Sequence, residues 1–229
     1  MNRLYIKLIA ALTMVIDHVA LILLDSNTTT YTIFRMIGRI SFVLFAFMIA
    51  EGYHKTKDLK KYLLRLGLAA VVLEVFIIIY YFLTDHNLII HFNILWTLFV
   101  GLLTLTLLHH RNKFMNLLII PLIIGSEVIG LSYGAYGVLM IALFGLYENK
   151  VTNMLHLIFL NLLFIDQPLL SLVNMVGFAK FPVIQWFSMV AIIFIFLYNG
   201  KSGKYKLRWF FYLFYPGHLI VLYLIDYLI

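Results

Sequence analysis

Apolar residues run in long blocks along this chain, and polar residues gather in the short gaps between them. An α-helix needs about 17 to 25 apolar residues to cross the hydrocarbon of a bilayer, where no water is present to satisfy an exposed backbone. Blocks of that kind, some of them shorter, predict spans near residues 4–24, 33–53, 62–83, 92–109, 114–131, 134–148, 152–165, 181–198 and 208–228. The first four and the last are clear. Between 114 and 165 the segments are short or closely joined, so the stretches 117–124 and 137–146 are expected to be tilted, broken or partly re-entrant. The pattern predicts an all-α, polytopic membrane protein of about nine transmembrane helices.

Composition agrees with the pattern. Of 229 residues, 64% are hydrophobic and 12% charged, against about half and about a quarter in a soluble domain. No stretch of about 50 residues lacks a membrane-length apolar run, so residues 1–229 read as one integral membrane domain. The first block does not resemble a cleaved signal peptide: Asp17 and His18 interrupt it and no small-x-small site follows, so the helix is expected to be retained. There is no cysteine, which removes disulfides, thiolate nucleophiles and cysteine-based metal sites.

Charge supplies the orientation. All of the seventeen lysines and arginines except Arg35, Arg39 and Lys180 fall at alternate ends of the predicted spans. Basic residues favour the cytoplasmic side. The N-terminus is therefore expected in the cytoplasm and, with nine spans, the C-terminus outside. A pI near 9.5 is thus a topology signal, and no nucleic-acid partner is expected. The glycine- and lysine-rich turn Asn199–Lys206 lacks the spacing of a phosphate-binding loop.

Ionisable groups inside spans are costly and need a reason. Span one runs outward with its middle near Met14, so His18 lies roughly 6 Å to the outer side of centre. Span two runs inward with its middle near Val43, which puts Arg39 at a similar depth and Arg35 one turn nearer the surface. Arg35 and Arg39, four apart, share a helix face. Asp17 is expected to pair with one of them and to shape the surroundings of His18. A plainer reading has Arg35 snorkelling and Asp17–Arg39 fixing helix packing, but small residues do that at lower cost.

Further candidates follow the same logic. Glu74 is nearly central in span three, as a base, an amine-binding group or a structural partner. Arg65, nine residues away and half a turn out of phase, is not its expected partner. Asn93, Trp96 and Thr97 share one face near the outer end of span four. In the last span Tyr215 and His218 share a face, and Pro216 between them is expected to kink the helix. His109 and His110 form a loop pair, His86 and His91 sit at boundaries, and no metal constellation or serine nucleophile elbow is present, so no metal is expected.

The segments "MVIDHVALIL", "FRMIGRISFVLFAFMIAEGYHKTKDLKKYLLRLGL" and "FFYLFYPGHLIVLYLI", with "NILWTLFVGLL" and "YGAYGVLMIALF" between them, resemble the TraX family of bacterial membrane proteins over nearly the whole chain. Two departures stand out: Val43, where a proline is common in relatives, and Gly217, where a bulkier residue is usual. The resemblance implies a transmembrane acyltransferase of the bacterial cytoplasmic membrane, with acetyl-CoA as donor substrate. The family's namesake acetylates the N-terminus of pilin, and more distant relatives acetylate sugars. For this chain it leaves a peptide, a glycan or a lipid-linked molecule open as acceptor.

On that reading His18 acts as general base on an amine or hydroxyl, or forms a transient acetyl-imidazole. Asp17 or another carboxylate orients it, with Glu74 and Arg39 as further catalytic candidates. Arg39 with Arg35 stabilises the oxyanion or binds an anionic acceptor. His218 and Tyr215 position the thioester or supply a proton. Glu51 shapes the donor entrance, and the basic loops from Lys55 to Arg65 and from Lys201 to Arg208 meet the donor's phosphates. Asn93 completes the donor-side set. Two rival readings use the same residues: a proton-coupled transporter with a midplane relay, and a non-catalytic scaffold whose buried polar groups only pack helices.

Overall fold

The computed structural model describes residues 1–84, 92–110, 112–165, 181–201, 203 and 208–228, apart from the side chains of 83, 84, 113 and 208–212. The basic residues Arg111, Lys180, Lys204 and Lys206, and the boundary residues His86 and His91, lie outside them. The helices are α1 (Arg3–Leu23), α2 (Thr29–Lys55), α3 (Leu59–Thr84), α4 (Ile94–Leu108), α5 (Lys113–Asn116), α6 (Ile119–Val128), α7 (Gly134–Leu146) and α8 (Lys150–Phe164). A 3-10 stretch, Val183–Val190, then runs into α9 (Ala191–Leu197), and α10 (Arg208–Leu228) follows. Only isolated bridges, Phe92 with Leu131 and Ile165 with Phe181, interrupt the helical picture among the described residues.

The predicted spans match these elements in position. Among the described residues, α1, α2 and α3 over Leu59–Phe82 are long and apolar enough to cross a membrane; the other apolar helices are shorter. The expected span at 114–131 is two helices, and Pro121 explains the break. Proline lacks an N–H and its ring clashes with the carbonyl four residues back, here Leu117, so it fits only in the first turn of a new helix. The chain accordingly turns at 117–118 and restarts at Ile119.

Chain contacts divide the protein into two compact units: Met1–Met48 with Leu157–Leu170 and Lys180–Ile229, and Ile49–His156 with Ser171–Ala179. In the first unit, Asn2 caps α1 by accepting from the N–H groups of Leu4 and Tyr5 at 3.0 and 3.2 Å. The terminal ammonium of Met1 donates to the Leu197 carbonyl at the end of α9, 2.7 Å away, where the helix dipole favours a cation. The Arg3 N–H donates to the Lys201 carbonyl at 2.8 Å, so two of the residues expected at the cytoplasmic face lie at one end. Ser41 Oγ on α2 donates to the Ala10 carbonyl of α1 at 2.9 Å, and α1 also packs along α10.

In the second unit α4 packs on α7 and α3, and α6 packs on α7. Gly101 of α4 faces Ile141, and Gly145 of α7 faces Leu105, each so closely that a Cβ would collide. Such small residues let membrane helices approach. Asp58 caps α3, its carboxylate accepting from the Lys61 N–H at 3.0 Å; that bond and the Lys61 ammonium hold its carboxyl below the usual range. Gly134, at φ 42°, opens α7, and Glu127 folds onto that helix start, accepting from the Ala135 N–H at 2.9 Å.

Candidate functional site

On a helix, adjacent side chains diverge by about 100°. Asp17 and His18 of α1 therefore address different neighbours. Asp17 turns to α2, where it meets both arginines: Arg35 Nη1 donates to Oδ2 at 2.7 Å and Arg39 Nη2 to Oδ1 at 3.1 Å. The expectation was one arginine; the structure supplies two, one on each carboxylate oxygen. Gly38 makes this possible. Arg35, Gly38 and Arg39 stand at i, i+3 and i+4 on one face, and a Cβ on Gly38 would overlap the Asp17 carboxylate.

The two guanidiniums are used differently. Arg39 is buried; it also donates through Nε to the Arg35 carbonyl at 3.1 Å and through Nη1 to Gln185 Oε1 at 3.4 Å. Arg35 is the more open, its side chain 21% exposed against 10% for Arg39, and its guanidinium stands 6.0 Å from the Tyr31 ring centre. Among the described residues one carboxylate is shared by two guanidiniums, and Arg35, the more open of them, is suited to meet an anion or a developing oxyanion.

His18 turns to α10. Its Nδ1 lies 2.9 Å from His218 Nε2, and His218 Nδ1 lies 2.9 Å from the Phe214 carbonyl. A carbonyl only accepts, so His218 Nδ1 carries a proton. With both rings neutral, His218 Nε2 is then an acceptor, His18 Nδ1 donates to it, and His18 Nε2 keeps its lone pair. Phe214 is the i−4 neighbour of His218 on the same helix, which brings its carbonyl within reach of the ring. Tyr215 packs edge-on to both imidazoles, with ring centres 6.1 Å from His18 and 5.4 Å from His218, and the Phe214 ring stacks on His218.

Gln185 went unread in the sequence, although an amide in an apolar span carries the same cost argument as Asp17. It is fully buried in the 3-10 stretch, where residues three apart eclipse one another. Ser188 therefore stands directly over it and accepts from Asn161 Nδ2 at 3.0 Å. Gln185 in this way brings a third segment against Arg39.

The remaining candidates belong to the second unit. Glu74 Oε2 accepts from the Asn93 N–H at 3.0 Å and from Asn93 Nδ2 at 2.6 Å. Asn93 also donates to the Ala70 carbonyl and caps α4 by accepting from the Leu95 N–H. Asn93 thus closes the α4 start, and Glu74 places its carboxylate where a helix N-terminus favours an anion. Thr97, one turn on, is fully buried, and Trp96 packs between Phe92 and Phe99. Glu51 pairs with Lys55 one turn away, and Arg65 is half-buried on α3.

The sequence model of the TraX protein family matches residues 2–226. The chain is 28% identical over 231 residues to the probable fimbrial assembly protein FimC, serogroup H1, of Dichelobacter nodosus, an alignment covering 95% of this chain and 92% of that protein. No solved structure matches. With a family match spanning nearly its whole length, and with all-helical apolar architecture, this chain belongs to the TraX family of membrane proteins.

Proposed function

We propose that the protein is an acyltransferase of the bacterial cell membrane, moving an acetyl group from cytoplasmic acetyl-CoA to an amine or hydroxyl at the membrane or its outer side. The observation that carries this reading is the directed hydrogen-bond chain from the Phe214 carbonyl through His218 to His18. It leaves His18 Nε2 as the acceptor, the form a general base requires. His218 fixes the tautomer, and Tyr215 walls both rings.

In the transfer the acceptor's lone pair attacks the thioester carbonyl while His18 Nε2 takes its proton. The tetrahedral oxyanion then collapses, the C–S bond breaks, and the proton passes to the departing thiolate. Arg35, the more open guanidinium, faces the oxyanion or an anionic acceptor. Arg39, held by Asp17, Gln185 and the Arg35 carbonyl, keeps Asp17 and Arg35 in register. The basic segments that follow α2 and α9 suit the donor's phosphates. The fimbrial relative makes a surface polypeptide one acceptor class, beside a glycan or a lipid-linked molecule.

The test is acetyl-CoA binding and slow CoA release by purified protein, wild type against His18→Ala, both shown to be folded by thermal unfolding. Donor binding with release about 100-fold slower in the variant is expected, the lower end of a general base's contribution. Failure of the wild type to bind the donor at millimolar concentration would reject the reading for acetyl-CoA and favour the transporter.

A further inference from the structure

Between α1 and α10 lies an open cleft of about 610 Å³, a volume within the roughly 300–1,000 Å³ of small-molecule sites. Leu12 and Val15 line it from α1, and Gly217, His218, Val221 and Leu222 from α10. His218 is the one polar side chain in its described lining. Nothing lies within 4 Å of a Cβ added at Gly217, so this glycine is not there to admit a packed neighbour. It sits inside a helix, where glycine costs about 0.5–1 kcal/mol relative to alanine. What it does is widen the cleft beside His218.

The surroundings decide the occupant. α1 is long and apolar enough to cross a membrane, and Leu12 and Val221 are 62% and 54% exposed. The mouth of the cleft therefore opens on hydrocarbon. A polar ligand entering from there would find a single hydrogen-bonding side chain, and burying its other polar groups unpaired is costly. An alkyl chain exchanges one apolar environment for another at no such cost. The polar wall it would meet is the middle of the relay, since His218 Nε2 is bonded to His18 Nδ1.

We propose that this cleft holds one hydrocarbon chain of an amphipathic acceptor, bringing the amine or hydroxyl at its head to His18. The proposal rests on the transfer reading and narrows its acceptor to a lipid-like molecule. Leu8 to Val15, the α1 side of the cleft, covers about 10 Å at 1.5 Å per residue, enough to grip a medium-length chain.

The probe is decylamine carrying a mid-chain diazirine, cross-linked to the full-length protein in lipid nanodiscs and mapped by mass spectrometry. Labelling is expected to gather on residues 8–15 and 214–222. It should fall about tenfold, equivalent to ~1.4 kcal/mol, when Gly217→Leu fills the cleft. In the wild type, unlabelled decylamine should compete and propylamine should not, so the result does not hang on the variant's folding. Labelling no stronger there than at exposed Val72 of α3, or insensitive to competitor, means ordinary boundary lipid and overturns the proposal. Preferential labelling without CoA release would leave the chain site standing while the transfer reading falls. CoA release as fast with propylamine as with decylamine, without preferential labelling, would do the reverse.

Discussion

Asp17 shows how a single side chain can be read at two levels. Its cost inside a span, and the matching depth of Arg35 and Arg39, made the ion pair legible without coordinates. Its double use was not legible, because which oxygen each guanidinium reaches depends on the rotation of α1 against α2. The consequence is measurable. Asp17→Asn removes the carboxylate that both guanidiniums share, and breaking such a buried pair costs about 3–5 kcal/mol. A large fall in thermal midpoint is expected in detergent. Adding Arg35→Gln to Asp17→Asn should recover part of the loss, because one of the two guanidiniums that lost the shared carboxylate is then gone; if the two changes simply add, the shared carboxylate is not what couples them.

At the level of elements the decisive contact is the crossing of α1 and α2. Gly38 lies on the arginine face of α2 at i+3 from Arg35, and the backbone there approaches the Asp17 carboxylate too closely for any side chain. Gly38→Ala should destabilise the protein by about 1–3 kcal/mol through overpacking, outweighing the roughly 0.5–1 kcal/mol that alanine adds to a helix. Gly217→Ala, in open space, should instead stabilise by that helix term alone. Opposite shifts of thermal midpoint for the two variants check both assignments. The broken span between α5 and α6 was foreseen as irregular, and Pro121 is its local cause. The 3-10 stretch Val183–Val190 was not foreseen, since an apolar run carries no mark distinguishing 3.0 from 3.6 residues per turn; with it went the stacking of Gln185 under Ser188.

For the molecule as a whole, the distribution of basic residues makes a topology forecast that the chain itself is well suited to test. It has no cysteine, so each introduced thiol is the only one. Cysteines placed at Asn2 and Lys57 should react with a membrane-impermeant reagent only from the cytoplasmic side, and one at Asn27 only from outside. Equal reactivity of all three from one face would refute the orientation. The hydrogen bonds joining Met1 and Arg3 to the end of α9 and to Lys201 put the N-terminus and that turn at one end, so a thiol in either should react from the same side.

Hydropathy, charge asymmetry and the cost of burying polar groups are local or additive along the chain, and they sufficed for the helical architecture, the element positions and the pairing of Asp17 with span two. The imidazole pair is of another kind. His18 and His218 are 200 residues apart, and the sequence places one beside Asp17 in the first span and the other beside Tyr215 and Pro216 in the last, with nothing that joins them. Only the tertiary packing of α1 on α10 brings Nδ1 to Nε2, and only that contact, with the Phe214 carbonyl behind it, decides which nitrogen keeps a lone pair. The apolar cleft beside them is likewise a property of two helices together, because a gap exists only between surfaces.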